Sequence, residues 1–244
     1  MAYQPNIEKT FNIKYCKNYL SDASIIKLLN LIKKIYERRC NKKIKVKDLN
    51  NNLLLLNKKN KKQVSNIYNE VQYTLFREIN NFKLLNKKFL NKIFKKNNIL
   101  VNVPTIRFDF PNDNKYILPW HQEIKSSGKF GFNNFFQIWC PLNIDANKTN
   151  GALVLKENPK KKIYNHSKKK TKYLNEMIQL NDKRTDKFIS NQPEVKRGDA
   201  IMFFPTTIHK SGYNTSNELR LTLTMSVHVI ENKKSFPKLL IREI

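Results

Sequence analysis

The chain has 244 residues, 40% of them hydrophobic and 11% aromatic, which excludes a disordered chain and is enough to bury a sizeable core. Lys and Arg number 47 against 19 Asp and Glu, so the formal net charge is +28 and an acidic surface is excluded. The three cysteines are scattered, which excludes a disulfide scaffold and a cysteine zinc site. The sequence has no N-terminal apolar segment and no apolar run near the roughly 18 residues of a membrane span, which excludes a membrane anchor. Together these features predict a cytoplasmic protein.

Residues 1–97 are predicted to be mainly helical. Ser21 is a suitable N-cap, and the apolar residues that follow within 25–35 form a broad stripe along one side of a helix. Such a stripe could bind a partner, but packing against a sheet is the usual fate of an amphipathic helix in a domain of this size. The N-terminal part is therefore expected to cover a sheet supplied by the rest of the chain.

The rest of the N-terminal part contains one clear helical pattern, and the segments before and after it have weaker patterns. Residues 41–52 form a Lys- and Asn-rich connector, and the four leucines at 53–56 are interpreted as a buried turn or strand. From residue 64 to residue 79 apolar side chains recur at i, i+3, i+4 and i+7, the pattern of an amphipathic helix. A shorter helix is predicted over residues 84–94.

Beyond residue 98 the period changes from helical to alternating. Residues 105–110 alternate apolar and polar side chains, which predicts a half-buried strand with Arg107 and Asp109 on its polar face. These two charged residues are candidates for contact with a substrate or cosubstrate. A polar face in solvent is the alternative.

The segment Trp120-His121-Gln122-Glu123 carries a possible pair of metal ligands. Side chains alternate along an extended chain, so His121 and Glu123 project from the same side. With a second, distant histidine the three could cap one face of an octahedral metal, as in the facial triad of non-haem Fe(II) oxygenases. The pair alone is common in proteins and establishes little.

Residues 135–144 are predicted to form an aromatic-rich strand with Gln137 and Trp139 on one face, and residues 152–155 a short strand after a turn. Residues 156–192 are basic and polar with little periodicity, which predicts a long loop or insertion, with one helix near 173–180 as an option. Its lysines could bind nucleic acid, but a solvated loop is the simpler interpretation.

The last fifty residues contain the third candidate ligand and the clearest strand. A strand over 200–204 leads to His209, and residues 219–230 alternate almost perfectly between polar and apolar side chains. If the apolar face packs under the helices, Arg220 lies on the inner face, where an unpaired charge is costly. Acidic residues are few, so a bound dicarboxylic acid is a candidate partner for this guanidinium. A surface salt bridge on an edge strand is the alternative.

The ordered set of motifs resembles the phytanoyl-CoA dioxygenase family of Fe(II)/2-oxoglutarate oxygenases over roughly residues 101–229. The matching stretches are Leu118-Pro119-Trp120-His121-Gln122-Glu123, Trp139-Cys140-Pro141-Leu142, Asn150-Gly151-Ala152-Leu153, Gly198-Asp199-Ala200-Ile201-Met202-Phe203 and the segment from His209 to Ser216. The resemblance implies one oxygenase domain over 1–244. Its expected fold class is α+β with a mainly β core, a double-stranded β-helix (jelly roll) over 98–244, flanked by the N-terminal helices.

The resemblance also implies roles for individual residues. The implied Fe(II) ligands are His121, Glu123 and His209. The implied contacts of 2-oxoglutarate are Arg220 and Ser211 at its distal carboxylate, Trp139 beside it and Gln122 at the pocket wall. Arg107, from the alternation of its own strand, is a further candidate for this set.

Two departures from the family pattern bear on the chemistry. The family usually has Asp where Glu123 stands, and related halogenases lack this carboxylate altogether, so a retained carboxylate favours hydroxylation. After Leu155 the family often has Gly-Ser-His, whereas this chain continues with Asn158-Pro159-Lys160-Lys161. That region contributes to substrate choice, so the resemblance leaves the substrate open. His166, alone in the basic stretch, is interpreted as incidental.

The sequence thus predicts a dioxygenase that uses O2 and converts 2-oxoglutarate to succinate and CO2 while hydroxylating a small molecule. The basic surface favours an anionic substrate. Lys and Asn fill most polar positions and Arg is scarce beside Lys, which favours a compositional origin of the charge over nucleic-acid recognition. A catalytically inactive jelly-roll binding domain and a basic nucleic-acid-binding protein remain the alternatives.

Overall fold

A computed structural model of the chain describes residues 5–79, 82, 84–86, 98–101, 104–115, 117–123, 135–169, 177–230 and 241–243. The helices in this part are α1 (Pro5–Phe11), α2 (Asp22–Cys40), α3 (Leu49–Lys59) and α4 (Lys61–Arg77). The strands are β1 (Ile13–Cys16), β2 (Asn98–Val101), β3 (Thr105–Asp109), β4 (Phe135–Pro141), β5 (Val154–Lys156), β6 (His166–Lys169), β7 (Met177–Leu180), β8 (Ser190–Asn191), β9 (Ala200–Phe203), β10 (Ile208–Lys210), β11 (Arg220–Ile230) and β12 (Ile241–Glu243).

The two strongest helix predictions are confirmed. Helix α2 begins at the predicted cap, where the Ser21 hydroxyl accepts a hydrogen bond from the backbone N–H of Ser24 at 3.2 Å. Helix α4 follows the predicted spacing and buries Val64, Ile67, Val71 and Leu75. Each such side chain contributes about 1.5–3 kcal/mol of transfer free energy on burial, so the stripes hold the helices to the sheet.

Two weaker predictions for the N-terminal part are not confirmed. The leucine run at 53–56 is helical, not a turn or strand, because α3 buries Leu49 and Leu53, spaced i and i+4, next to α4. Four consecutive leucines fit either period, and only the spacing to Leu49 distinguishes them. The helix predicted over 84–94 is absent at residues 84–86, and its remaining residues lie outside the described part of the chain.

Within the part of the chain that the structure describes, the largest element is a seven-stranded antiparallel sheet. Its order is β1-β9-β4-β11-β2-β12, and β3 pairs with β11 beside β2. Strand β1 was not predicted, since the N-terminal part was expected to be mainly helical. Its four residues pair with β9, from Ile13 opposite Phe203 to Cys16 opposite Ala200, and so extend the sheet. A strand this short, placed between helices, has too little alternation to be detected locally.

A smaller sheet of order β10-β5-β8 lies against the inner face of the large one. Between the sheets a core is formed by Phe11, Ile13, Trp139, Ala146, Ala152, Leu153, Leu155, Val195, Ile201 and Phe203. A second core lies between the helices and the other face of the large sheet, where the apolar side of β11 packs as predicted. The result is a helical layer over two antiparallel sheets, a mainly β arrangement consistent with a jelly roll.

The described residues of the basic stretch 156–192 contain short strands where a loop was predicted. Strands β6 and β7 form a separate antiparallel hairpin, and β8 joins the small sheet. The helix offered for 173–180 is wrong over its described end, where Met177–Leu180 is strand β7. Across the described residues, the helices include none long and apolar enough to cross a membrane.

Candidate metal centre

Two histidines from distant parts of the chain face each other across a pair of backbone hydrogen bonds. The N–H of His121 donates to the carbonyl of His209 at 2.9 Å, and the reverse bond is 3.0 Å long. Residues paired in this way project their side chains to the same face, and the ring centroids lie 4.1 Å apart. Both residues are buried. Strand β10 therefore places the predicted third ligand beside the first.

Each imidazole is oriented by the carbonyl two residues before it. Nδ1 of His121 lies 2.7 Å from the carbonyl oxygen of Pro119, and Nδ1 of His209 lies 3.1 Å from that of Thr207. A carbonyl only accepts, so each Nδ1 carries a proton and each Nε2 faces the cavity, where it can donate to Glu123 when protonated or offer its lone pair to a metal when neutral. Glu123 Oε1 lies 3.4 Å from both Nε2 atoms.

The charges of the three groups are interdependent. Burial alone would raise the pKa of Glu123, but hydrogen bonds from His121 and His209 hold that pKa well below its usual range. Burial lowers the pKa of His209, and the neighbouring His121 lowers it further. Burial would also lower the pKa of His121, but Glu123 outweighs it and the pKa is raised. A carboxylate with two imidazoles in one buried place suits a divalent cation.

The donor set fits Fe(II). Among the His, Cys, Asp and Glu side chains of the described residues, these three form a group whose ligand atoms all lie within 4.8 Å of one another. Two cis ligands bonded at about 2.1 Å stand roughly 3 Å apart, close to the observed 3.4 Å between Oε1 and each Nε2. Two imidazole nitrogens and one carboxylate oxygen on one face match the facial triad.

The three groups border a cavity of about 240 Å³ between the two sheets. Nine residues were predicted at the site, and all but Asp109 and Gln122 line the cavity: Arg107, His121, Glu123, Trp139, His209, Ser211 and Arg220. Four further polar residues line it without having been predicted as site residues, and these are Thr105, Gln137, Thr224 and Ser226. Thr224 and Ser226 share the polar face of β11 with Arg220. The alternation that identified Arg220 could therefore have identified these two residues as well.

Arg220 is buried, as the alternation of its strand predicted, with 3% of its surface exposed. Its Nε donates to the Asn150 carbonyl at 2.8 Å and its Nη2 to the Gly151 carbonyl at 2.7 Å, while Nη1 donates to the Thr222 hydroxyl. Nη2 also lies 3.1 Å from Oδ2 of Asp109, its pairing partner on β3. The guanidinium is thus held rigidly at the cavity wall, and the surface salt bridge considered for it is excluded.

The premise that Arg220 lacks a protein carboxylate is wrong, because Asp109 provides one. Arg107 approaches the same carboxylate from the other side, with Nη2 3.1 Å from Oδ1. Burial would raise the pKa of Asp109, but the charges of Arg220 and Arg107 outweigh it and the pKa is lowered. Two guanidiniums and one carboxylate leave a net charge of about +1 at the cavity, so the cluster still suits an anion.

Ser211 and Trp139 complete this end of the cavity. The Ser211 hydroxyl oxygen accepts a hydrogen bond from Leu118 N–H at 3.1 Å, which leaves its own hydrogen to donate. The guanidinium carbon of Arg220 lies 5.1 Å from the centroid of the Trp139 ring. A carboxylate at Arg220 would therefore have a hydroxyl donor and an aromatic wall nearby.

Gln122 does not line the cavity, contrary to the role predicted for it. It is fully buried on the opposite side of the ligand segment, because side chains alternate and its neighbours face inward. Its amide donates to the carbonyls of Lys162 (2.8 Å) and Thr206 (2.6 Å) and accepts from Tyr164 N–H (2.9 Å). Its backbone N–H donates to Nε2 of His166 at 3.1 Å. His166 is therefore part of the support of the centre.

Comparisons with known proteins agree with this geometry. The sequence profile of the family described as phytanoyl-CoA dioxygenase matches residues 18–222. No curated protein matches the chain. Similar solved structures include the apo form of the non-heme monooxygenase ThoJ, with TM-score 0.58, 12% identity and coverage of 92% of this chain and 76% of that one. At this identity the likeness shows the fold alone.

Two more solved structures have the same fold. The non-heme alpha ketoglutarate dependent carbocyclase SnoK has TM-score 0.52 and 10% identity, covering 93% of this chain and 85% of that one. The epimerase SnoN, in complex with Fe3+, alpha ketoglutarate and nogalamycin RO, has TM-score 0.52 and 8% identity, covering 91% of this chain and 80% of that one.

Proposed function

Because the chain belongs to the phytanoyl-CoA dioxygenase family of Fe(II)/2-oxoglutarate-dependent oxygenases, we propose that it hydroxylates a small molecule at the cavity between its sheets. O2 is the oxidant, and 2-oxoglutarate leaves as succinate and CO2. The observation that carries the proposal is the placement of His121, Glu123 and His209, with Glu123 Oε1 3.4 Å from each Nε2, at a cavity that also contains Arg220.

The chain's own part in this reaction is to bind, orient and exclude water. His121, Glu123 and His209 would hold the iron through two imidazole nitrogens and one carboxylate oxygen. Iron and 2-oxoglutarate, once bound, supply the oxidation of a substrate C–H bond by O2. The carbonyls that accept from both Nδ1 atoms keep the rings in position, and the two cores on either side of the large sheet keep the centre away from bulk water.

Arg220, Ser211 and Trp139 are proposed to bind 2-oxoglutarate, with Arg107 contributing positive charge. The net charge of about +1 in the Arg107–Asp109–Arg220 cluster supports a carboxylate at this place. Rigid contacts to the guanidinium would reduce the entropy lost on binding, since three of its nitrogens are already held by protein groups.

Hydroxylation is favoured over other oxidative outcomes by the intact carboxylate. Family members that halogenate lack a carboxylate ligand, whereas Glu123 lies at ligand distance from both imidazoles. The same placement argues against an inactive binding domain, because a site that had lost its function would have no need to keep three converging ligands. The neighbours named as an epimerase and a carbocyclase show that this fold also carries other outcomes.

We further propose that the substrate carries an anionic group. A second cavity of about 770 Å³ shares Leu118, Ser211 and Gly212 with the first, and Lys148 and Lys210 line it. Lysines beside the first cavity, on a chain with net charge +28, would concentrate an anion there. Free cysteines throughout the described residues support a reducing compartment, and we propose the cytoplasm.

Anaerobic addition of Fe(II) and 2-oxoglutarate to the wild-type protein should produce the weak visible charge-transfer band of such complexes. The His121→Ala protein should show no band, because it lacks one of the two imidazole ligands. Ligand at 100 times its Kd should also stabilise the wild type by about 2.7 kcal/mol in thermal unfolding. A wild type with neither the band nor 2-oxoglutarate-dependent stabilisation would overturn the proposed function.

Gly151→Ala should weaken 2-oxoglutarate binding as well as stability. Gly151 has φ +80°, and an added Cβ would lie 2.9 Å from the Gly212 carbonyl oxygen, so the backbone must shift at the carbonyl that accepts from Arg220. The matched control is Gly198→Ala, where φ is +85° and the added Cβ would lie 3.1 Å from both Ile25 Cδ1 and the Leu20 carbonyl oxygen, neither of which lines the cavity. Urea unfolding should show a loss of about 1–3 kcal/mol in both variants. Calorimetry should show weaker 2-oxoglutarate binding only for Gly151→Ala, and equal affinities would contradict the role of this carbonyl.

A further inference from the structure

The ligand segment contains an isolated β-bridge at His121 and has hydrogen bonds on both of its edges. The N–H and carbonyl of His121 face β10, and in an extended chain the adjacent residues direct theirs to the opposite edge. On that edge the Trp120 carbonyl accepts from Leu180 N–H at 2.6 Å, and Gln122 N–H donates to His166 Nε2 at 3.1 Å. The hairpin of β6 and β7 therefore covers the edge that β10 leaves open.

His166 is prepared to accept this hydrogen bond. Its Nδ1 lies 2.7 Å from the Tyr164 carbonyl oxygen, which can only accept, so the proton is on Nδ1 and the lone pair is on Nε2. Gln122 is fully buried, and a buried N–H without an acceptor costs about 1–3 kcal/mol. The side chain of His166 thus satisfies a donor that lies between two of the metal ligands.

The side chain of Gln122 ties the same place to two other segments. It bonds to the backbone of Lys162 and Tyr164, just before β6, and to the carbonyl of Thr206, just before β10. Asn158 donates to the same two carbonyls, Lys162 and Thr206, each at 2.8 Å. The residue between the ligands is therefore fixed from the insertion and from the loop that leads to His209.

We propose that His166 is a positioning residue for the iron centre: it fixes the backbone between His121 and Glu123 and thereby places the Glu123 carboxylate. This inference rests on the proposed function. A glutamate ligand has one more side-chain torsion than an aspartate, so a backbone displacement is transmitted to its carboxylate over a longer arm. The basic insertion then has a role at the metal in addition to substrate choice.

His166→Leu should weaken Fe(II) binding by about 10- to 100-fold, the usual effect of losing a group that supports a ligand. His166→Gln should restore affinity to within about threefold, because its amide oxygen reaches about where Nε2 lies. Ser167→Ala, on the exposed neighbour in the same strand, is the matched control and should behave as wild type. Anaerobic Fe(II) titration and the position of the charge-transfer band with 2-oxoglutarate are the measurements.

A leucine variant with wild-type affinity and an unshifted band would overturn the proposal. The proposal would also be overturned if His166→Gln lost as much Fe(II) affinity as His166→Leu and both metal-free variants lost the same melting temperature. That result would mean that His166 only stabilises the fold. Should His166→Leu not fold, His166→Asn replaces it, because its amide is too short to reach Gln122; equal Fe(II) affinity of the Asn and Gln variants then counts against the proposal.

Measurements on the wild-type protein distinguish a failure of the His166 proposal from a failure of the proposed function. If wild-type protein binds Fe(II) but gives no response to 2-oxoglutarate, the proposed function fails, and the ratio of Fe(II) affinities between variant and wild type still tests His166. If wild-type protein binds no Fe(II), both proposals fail together.

Discussion

Glu123→Ala should weaken Fe(II) binding by more than about 100-fold and remove the charge-transfer band given by Fe(II) and 2-oxoglutarate. Loss of a supporting group alone costs 10- to 100-fold in metal affinity, and this change removes a ligand and the only negative charge of the triad. Two imidazoles 4.1 Å apart between ring centroids would then face a dication without a counter-charge. Anaerobic titration monitored by absorbance measures both effects.

The matched variants at this position separate charge from length. Glu123→Gln keeps the shape and loses the charge, so it should resemble the alanine variant in affinity to within about tenfold. Glu123→Asp keeps the charge and restores the residue usual in the family, but retracts the carboxylate by one methylene from its place 3.4 Å from each Nε2. It should retain the band with affinity within about tenfold of wild type. Wild-type affinity in Glu123→Ala would exclude this residue as a ligand.

The parts of the fold that sequence predicted are those with a long, undisturbed period. Residues 64–79 and the strand after Leu219 each repeat their pattern several times, and the structure places both as predicted. Strand β1 and the leucine run at 53–56 contain at most one repeat, and long-range pairing or packing decides their conformation. Local pattern cannot report such contacts.

More of the candidate metal centre than of its surroundings could be predicted from the sequence. Spacing gave His121 and Glu123 a common side, and resemblance added His209. Alternation then showed that Arg220 is buried, but its carboxylate partner Asp109 stands on a strand more than a hundred residues away, opposite it only because of the register of β3 against β11. Register between strands so distant in sequence is not encoded in either strand alone.

His166 and Gln122 show a different limit. Gln122 lies between the two ligands, so alternation alone predicts that its side chain points away from them. Its place at the pocket wall was implied by the family resemblance, and the structure shows that it does not line the cavity. His166 lies in a Lys-rich stretch with no period, and only the approach of β6 to the ligand segment gives it a partner. A single histidine in such a stretch has no local signal of its contact.

Arg220→Met should weaken 2-oxoglutarate binding by at least about 30-fold and also destabilise the protein. Truncating one partner of a buried, hydrogen-bonded charge pair costs about 2 kcal/mol or more, which corresponds to that factor in Kd. Fe(II) affinity without 2-oxoglutarate should change little, since Arg220 is not among the converging ligands. Calorimetric titration with each ligand distinguishes the two effects. Unchanged 2-oxoglutarate affinity would exclude Arg220 as its anchor.

The loss of stability has a separate cause, and a second variant isolates it. Arg220→Met leaves the Asp109 carboxylate buried with Arg107 as its remaining ion-pair partner among the described residues, so the cost should be at most the roughly 3–5 kcal/mol of a broken buried pair. Adding Asp109→Asn removes the uncompensated charge and should recover most of that loss. The double variant should still bind 2-oxoglutarate weakly. Recovery of both properties together would mean that Arg220 acts through stability alone.

The pH dependence of stability gives an independent test of the Arg220–Asp109 pair. In the wild type the pKa of Asp109 is lowered, so its contribution to stability is present at neutral pH and is lost as the pH falls through that pKa. Arg220→Met removes the charge with the larger effect on Asp109, so the pKa of Asp109 must rise. The difference in unfolding free energy between metal-free wild type and variant should therefore be largest near pH 7 and shrink as the pH falls through the raised pKa. A difference independent of pH would show that Asp109 is not the group left uncompensated.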